Sequence, residues 1–283
     1  MQMAPIAKQD SGAYITAEIR SLISNPTDTI VVGMSGIGKS WLTSRIATEG
    51  RWCRISIDSE IQSKYLKEEI NTTFLSEIAD RPMLSILHGM GTLVIDWETH
   101  ADTLEPLSAW LGMPGDISRG GLAFEEYVRR QNAHCVAERR ALEDLLLHKH
   151  DPDQSLLVDT SGSFCEVMST DDELFARLSE RFRFVLLRET DALVDLLISR
   201  FKKNPKPIFY PSELLVTFWN CYMSEKGLSA TSVPPADFAY WAYEKLIEKR
   251  REKYARIADE ADFTINAEPV SYTHLTLPTT SRV

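Results

Sequence analysis

Gly33-Met-Ser-Gly-Ile-Gly-Lys-Ser40 is the stretch from which the rest of this 283-residue chain is read. It fits GxxxxGK[ST], a loop whose glycines take up backbone dihedrals that strain other residues, so that successive N–H groups converge on one concavity. At the start of a helix that concavity also meets the partial positive charge of the helix terminus, and the two together favour phosphate. Lys39 adds a full charge within reach of the β- and γ-phosphates of ATP, and Ser40 adds a hydroxyl for Mg²⁺. The expected nucleotide contacts are therefore Gly33, Met34, Ser35, Gly36, Ile37, Gly38, Lys39 and Ser40, with Trp41 beside them. Both flanks suit the mechanism. Thr29-Ile-Val-Val32 reads as a short buried strand, and Leu42, Ile46 and Ala47 give the following helix an apolar side. A glycine-rich turn with an incidental lysine would need neither.

Outward from the loop, helices alternate with short apolar runs. Residues 11–25 read as an amphipathic lead-in helix stopped by Asn25-Pro26. Arg54-Ile-Ser-Ile57 is a second strand ending at Asp58, followed by a helix near 60–78. Gly91-Thr-Leu-Val-Ile95 reads as a further strand, the stretch through Leu111–Gly115 as irregular, and 123–148 as a long helix. Ser155-Leu-Leu-Val158, ending at Asp159, and Phe182–Leu187 are strands; 190–203, 211–226 and 235–258 are helices; Phe263-Thr-Ile265 is a last strand. Strands alternating with helices predict an α/β fold: three layers, a mostly parallel sheet of about five strands, and helices on both faces.

The form GxxGxGKS, made here by Gly33, Gly36, Gly38, Lys39 and Ser40, resembles that of shikimate kinase and its relatives. Four later segments fall in the same order as in that family: Ile57-Asp58-Ser-Glu-Ile61, Gly121-Leu-Ala-Phe124, Leu157–Ser163, and Leu246–Tyr254 with Ala258-Asp259. The resemblance covers most of residues 29–266 and implies a kinase that moves the γ-phosphoryl group of ATP to a small-molecule hydroxyl. It implies that Asp58 orients and deprotonates that hydroxyl, that Gly162 lies beside the acceptor, that Arg250 meets an anionic group on it, and that a lid near 198–211 carries Arg200. Each has a structural alternative: a helix N-cap for Asp58, a solvated helix face for Arg250, a basic helix terminus for Arg200. Asp159 closes Leu-Leu-Val-Asp, the form of a metal-anchoring strand end, or else opens the turn that follows.

The departures bear on the acceptor. Ser56 stands where the family has a carboxylate, Glu125 where it has the arginine that grips shikimate, and Ser161-Gly162-Ser163 where it has three glycines. A glutamate at 125 would repel an anionic acceptor, and the segment between Asp58 and Phe124 is longer than the family's, so an acceptor other than shikimate is expected. Arg130, His134 and Glu138 share one helix face, and His88, Asp96 and His100 lie in the enlarged segment, expected as a lobe over 61–150; either group could line a pocket. Lys202, Lys203 and Lys206 extend the basic run after Arg200. The rival function is an ATPase switch acting with a protein partner. A GTP-specific reading lacks an Asn-Lys-x-Asp segment.

Composition narrows the partners. A net charge of −10, with 31 basic against 41 acidic residues, disfavours a nucleic-acid binder. No run approaches the apolar length needed to span a bilayer, the first residues lack a signal-peptide core, and four scattered cysteines show no metal-ligand spacing, so a cytoplasmic protein is expected. The tail Ser271–Val283 resembles translated sequencing adaptor and is set apart from the domain at 29–270 and the lead-in at 1–28.

Overall fold

A strand with no polar face needs neighbours on both edges and cover on both sides. The computed structural model, which describes residues 17–48, 51–79, 82–91 and 104–267, gives β1 (Thr29–Val32) all of these. All four of its residues are buried. β3 (Ser155–Asp159) runs parallel along one edge, with Val31 opposite Asp159, and β4 (Arg183–Arg188) along the other, with Val31 opposite Val185. β2 (Trp52–Ser56) adds outside β3, and β5 (Phe263–Asn266) outside β4. The sheet is five-stranded, parallel throughout, in the order β2-β3-β1-β4-β5. This is the α/β architecture expected of a P-loop domain.

The order sets the site. The connection leaving β1 crosses β3 to reach β2, and the one leaving β3 crosses β1 to reach β4. Right-handed crossovers in opposite directions put their helices on opposite faces, Lys39–Thr48 on one and Glu173–Arg181 on the other. The loops after β1 and β3 therefore diverge, and open α/β sheets bind ligands in that crevice.

Ser56 explains a shifted boundary. Its hydroxyl accepts from Ser59 N–H at 3.3 Å, capping a helical turn over Ile57–Glu60, so β2 stops one residue before the strand predicted through Ile57. The N-cap considered for Asp58 thus belongs to Ser56, and Asp58 lies inside the first turn. A π-helical turn over Ile61–Tyr65 then leads into the helix Lys67–Ala79. The strand predicted at 91–95 falls almost wholly outside the described residues, as do Asp96, His100, the tail and most of the lead-in; the lead-in's Ile19 and Leu22 are buried in the core.

A second, aromatic core joins the helices Phe124–Leu145, Ser212–Lys226 and Pro235–Glu260. Phe124 stacks on Trp219 at 4.5 Å and 11°, an aromatic contact worth about 1 kcal/mol beyond its buried area. Among the described residues no helix is long and apolar enough to cross a membrane.

Candidate functional site

The loop after β1 has the conformation its glycines foretell. Gly33, Gly36 and Gly38 have φ of 148°, 83° and 102°. At Gly33 the space is closed as well: a Cβ would lie 2.5 Å from the Leu187 carbonyl oxygen. Met34 and Ile37 are buried beneath the loop, so only their backbone can face a ligand. Above it opens a cleft of about 900 Å³, walled by Ser35, Gly36, Gly38, Lys39, Ser40 and the half-exposed Trp41.

Lys39 is buried and donates from Nζ to the Met34 carbonyl at 2.9 Å, folded back on its own loop. Burial lowers its pKa, opposed by the charges of Asp159 and Asp58. Asp159 ends β3 with its side chain 4% exposed. One oxygen, Oδ2, accepts from Arg54 Nη2 at 3.0 Å; the other, Oδ1, is buried with no hydrogen-bond partner. Arg54, on β2, also donates from Nε to Thr43 Oγ1 at 3.0 Å and lines the cleft. Arg200 also lines the cleft.

Next to the cleft lies a second pocket of about 300 Å³. Ser35, Asp58, Leu104 and Gly162 line both, so the two chambers meet at Asp58. Burial raises the Asp58 pKa to about 6, with Lys39 and Lys206 pulling it down and Asp159 pushing it up. Gly162 is pressed against the phosphate loop: a Cβ there would lie 2.4 Å from the Ser35 nitrogen. Tyr254 holds the two loops together, its hydroxyl shared between the carbonyls of Gly33 at 3.0 Å and Gly162 at 3.2 Å.

Buried polar groups back the second pocket: Ser161, Ser163, His134 and Arg250 line it, and Glu138 lies behind the two serines. Glu138, fully buried, accepts from the hydroxyls of Ser161 and, at 2.7 Å, Ser163. Burial raises its pKa to about 7, and the two serine hydrogen bonds limit the rise. His134 stacks on Phe209 at 4.9 Å; burial lowers its pKa to about 3, and its Nδ1 has no hydrogen-bond partner. Arg250 is buried too, bound through Nε to Glu166 at 3.4 Å and through Nη2 to the Phe209 carbonyl at 2.9 Å. Lys206 supplies a second cation from the 204–211 segment. That segment is tied to the long helix: Tyr127 donates to the Ile208 carbonyl at 3.1 Å, and Tyr210 N–H donates to Gln131 at 2.9 Å.

The structure thus brings Lys39, Ser40, Asp58, Asp159, Gly162, Arg200 and Arg250 to one crevice. The expected helix face divides. His134 lines the pocket and Glu138 supports it from behind through Ser161 and Ser163, whereas Arg130 is spent on Glu126 at 2.7 Å and on the Trp110 carbonyl. His88 is exposed and lines neither chamber. Glu125 is exposed on the aromatic lobe, because the neighbouring Phe124 is committed to Trp219, and it does not line the pocket; the carboxylates that do are Asp58 and Glu105. Arg54 carries no motif signal as a site residue and reads only as part of a strand, and Tyr254 closes the Leu246–Tyr254 segment without a role assigned to it there.

Among the described residues no cluster of three or more His, Cys, Asp and Glu side chains is placed to hold a metal. Ser40 and the unpartnered Asp159 Oδ1 do fit a Mg²⁺ that arrives on phosphate oxygens and keeps its waters. No protein-family model matches the sequence, and no curated protein does. Among solved structures, a shikimate kinase from Bacteroides thetaiotaomicron is similar to this chain, 12% identical with a TM-score of 0.39, over 85% of this chain and 86% of that one.

Proposed function

We propose that this chain binds MgATP on Gly33–Ser40 and transfers the γ-phosphoryl group to a hydroxyl of a small molecule held in the second pocket. The observation that carries the reading is the junction of the chambers at Asp58, between a phosphate-shaped loop and a second pocket lined by His134, Lys206 and Arg250. Phosphoryl transfer asks little covalent chemistry of a protein, only positioning and charge. Asp58 stands where an acceptor hydroxyl must approach, and a carboxyl titrating near pH 6 is ionised at neutral pH yet a better base than an ordinary aspartate. Lys39 swings from the Met34 carbonyl onto the phosphates, and Arg200 faces the charge that develops during transfer. Ser40 and Asp159 hold the Mg²⁺, which neutralises phosphate charge when bound. Gly162, with no side chain, lets the acceptor lie against the loop.

The acceptor is a small hydroxylated anion. About 300 Å³ admits a compact molecule; of the charged groups lining it, Arg250 and Lys206 favour a negative group on the acceptor, and Asp58 and Glu105 favour its hydroxyls. Position 125 carries a glutamate where the resemblance expects the arginine that grips shikimate, and the segment between Asp58 and Phe124 is longer than the family's, so we read the acceptor as other than shikimate.

Titration calorimetry with ATP and Mg²⁺ tests the first half: Lys39→Ala should abolish the heat of binding that wild type gives, and equal binding by both would sink the reading. A panel of small hydroxy acids, sugar acids and sugar phosphates tests the second. ADP release should depend on the acceptor; ATP hydrolysis that no acceptor stimulates would point to the ATPase switch instead.

A further inference from the structure

Positions 54 and 56 lie on the same face of β2, since side chains alternate along a strand. Where the shikimate-kinase resemblance leads one to expect a carboxylate at 56, this chain has a serine spent on capping a helical turn, and two residues earlier a guanidinium. That guanidinium is in the nucleotide cleft, with 28% of its side chain exposed. Its Nη2 holds Asp159 Oδ2 at 3.0 Å, its Nε is anchored on Thr43 at 3.0 Å, and Asp159 Oδ1 is left buried and unpartnered.

We propose that Arg54 is a phosphate-binding residue that shares Asp159 with the metal. It occupies one carboxylate oxygen, leaves the other for the metal's water, and holds a permanent positive charge beside the phosphate loop. This rests on the MgATP reading and adds a residue to it. The charge balance is the reason. A carboxylate beside an empty phosphate site repels the phosphates it must later serve, and at a few ångströms in a partly solvated site one unit charge is worth about 1–2 kcal/mol, or roughly tenfold in affinity. Arg54 cancels that repulsion whether or not metal is present. Its fork also fixes the carboxylate in one orientation, which a lysine could not do as well.

A purely structural cross-strand pair would support ATP and MgATP equally. The proposed role would not, so the test compares the two. ATP affinity is measured by calorimetry on the full chain, once in EDTA and once in Mg²⁺, for wild type and Arg54→Ala. Metal-free affinity should fall about tenfold, while MgATP affinity falls less than about threefold, because the freed Asp159 then holds the metal more strongly. Adding Asp159→Asn to Arg54→Ala should restore metal-free binding, since the uncompensated charge is gone. Equal losses in both conditions, or no loss in either, overturn the proposal while leaving the MgATP reading intact. Wild type that binds ATP in neither condition overturns both. Should Arg54→Ala lower the melting temperature into the measuring range, Arg54→Lys and the double variant make the same comparison. The lysine should keep metal-free affinity within about threefold, because it keeps the charge.

Discussion

The two chambers that meet at Asp58 are built by different means. The larger one grips with backbone: a glycine-rich loop at a helix terminus, with one lysine and two arginines, Arg54 and Arg200, added around it. The smaller one is built from side chains. His134 comes from one helix, with Glu138 of the same helix behind it; Ser161 and Ser163 come from the loop after β3, Lys206 from another segment and Arg250 from the helix Pro235–Glu260. Backbone N–H groups recognise what all nucleoside triphosphates share. Side chains recognise what sets one acceptor apart, and buried ones exact the larger penalty when a partner is missing. The difference separates a generic donor site from a selective acceptor site.

The sharpest way to break that division is Asp58→Asn, at the point where the chambers touch. Transfer should drop by about 10³-fold with ATP affinity within about twofold of wild type, read by coupled ADP release and calorimetry. Loss of both together would mean that Asp58 serves the nucleotide chamber instead. The wild-type pH profile should agree in sign. Asp58 is active as the carboxylate, so kcat/KM should be level above pH about 6 and fall tenfold per unit below it.

Gly162→Ala comes next in size. Its Cβ has to displace the Ser35 nitrogen from 2.4 Å, a backbone contact that cannot simply rotate away. Overpacking of this kind costs about 1–3 kcal/mol of stability, and both ATP and acceptor affinity should fall, because the substitution lies in the shared wall. A variant that weakens only one ligand would show the chambers to be mechanically separate.

The smallest effect concerns Glu138. Its pKa is raised from 4.5 to about 7, so between those values the folded chain holds a proton that the unfolded chain has released. Stability from this group is full below pH about 4.5, declines as pH rises through that window, and is level above it. Glu138→Gln should flatten the decline in thermal melts between pH 5 and 7 while leaving ATP affinity unchanged. A decline that persists unaltered would assign the proton elsewhere.

The same contrast governs how much could be read from residues alone. The phosphate loop was legible because its chemistry is local: eight consecutive residues contain the glycines, the lysine and the hydroxyl. The sheet was legible because buried parallel strands stay apolar on both faces, as in Ile30-Val-Val32 and Leu156-Leu-Val158. The acceptor pocket depends on contacts such as Arg250 to Glu166, 84 positions apart, and the nucleotide cleft on Arg54 to Asp159, 105 apart, and no spacing rule connects them. Arg54 reads as an ordinary polar residue on an edge strand until the register sets it beside β3. Glu125 misled for a related reason: its position follows from where Phe124 packs, and that was decided by Trp219 on a helix far along the chain.

Tyr254 ties Gly33 to Gly162 from 221 residues downstream of the first glycine. The cradle is thus among the earliest parts of the domain to be synthesised and among the last to be finished. Until the long C-terminal helix docks, the amide ring has no clasp, and a nascent or clipped chain that stops short of that hydroxyl carries the whole motif without the rigid shape that gives it meaning. Competence to hold a triphosphate should therefore emerge late and all at once during biosynthesis, as a property of the completed fold and not of its signature peptide.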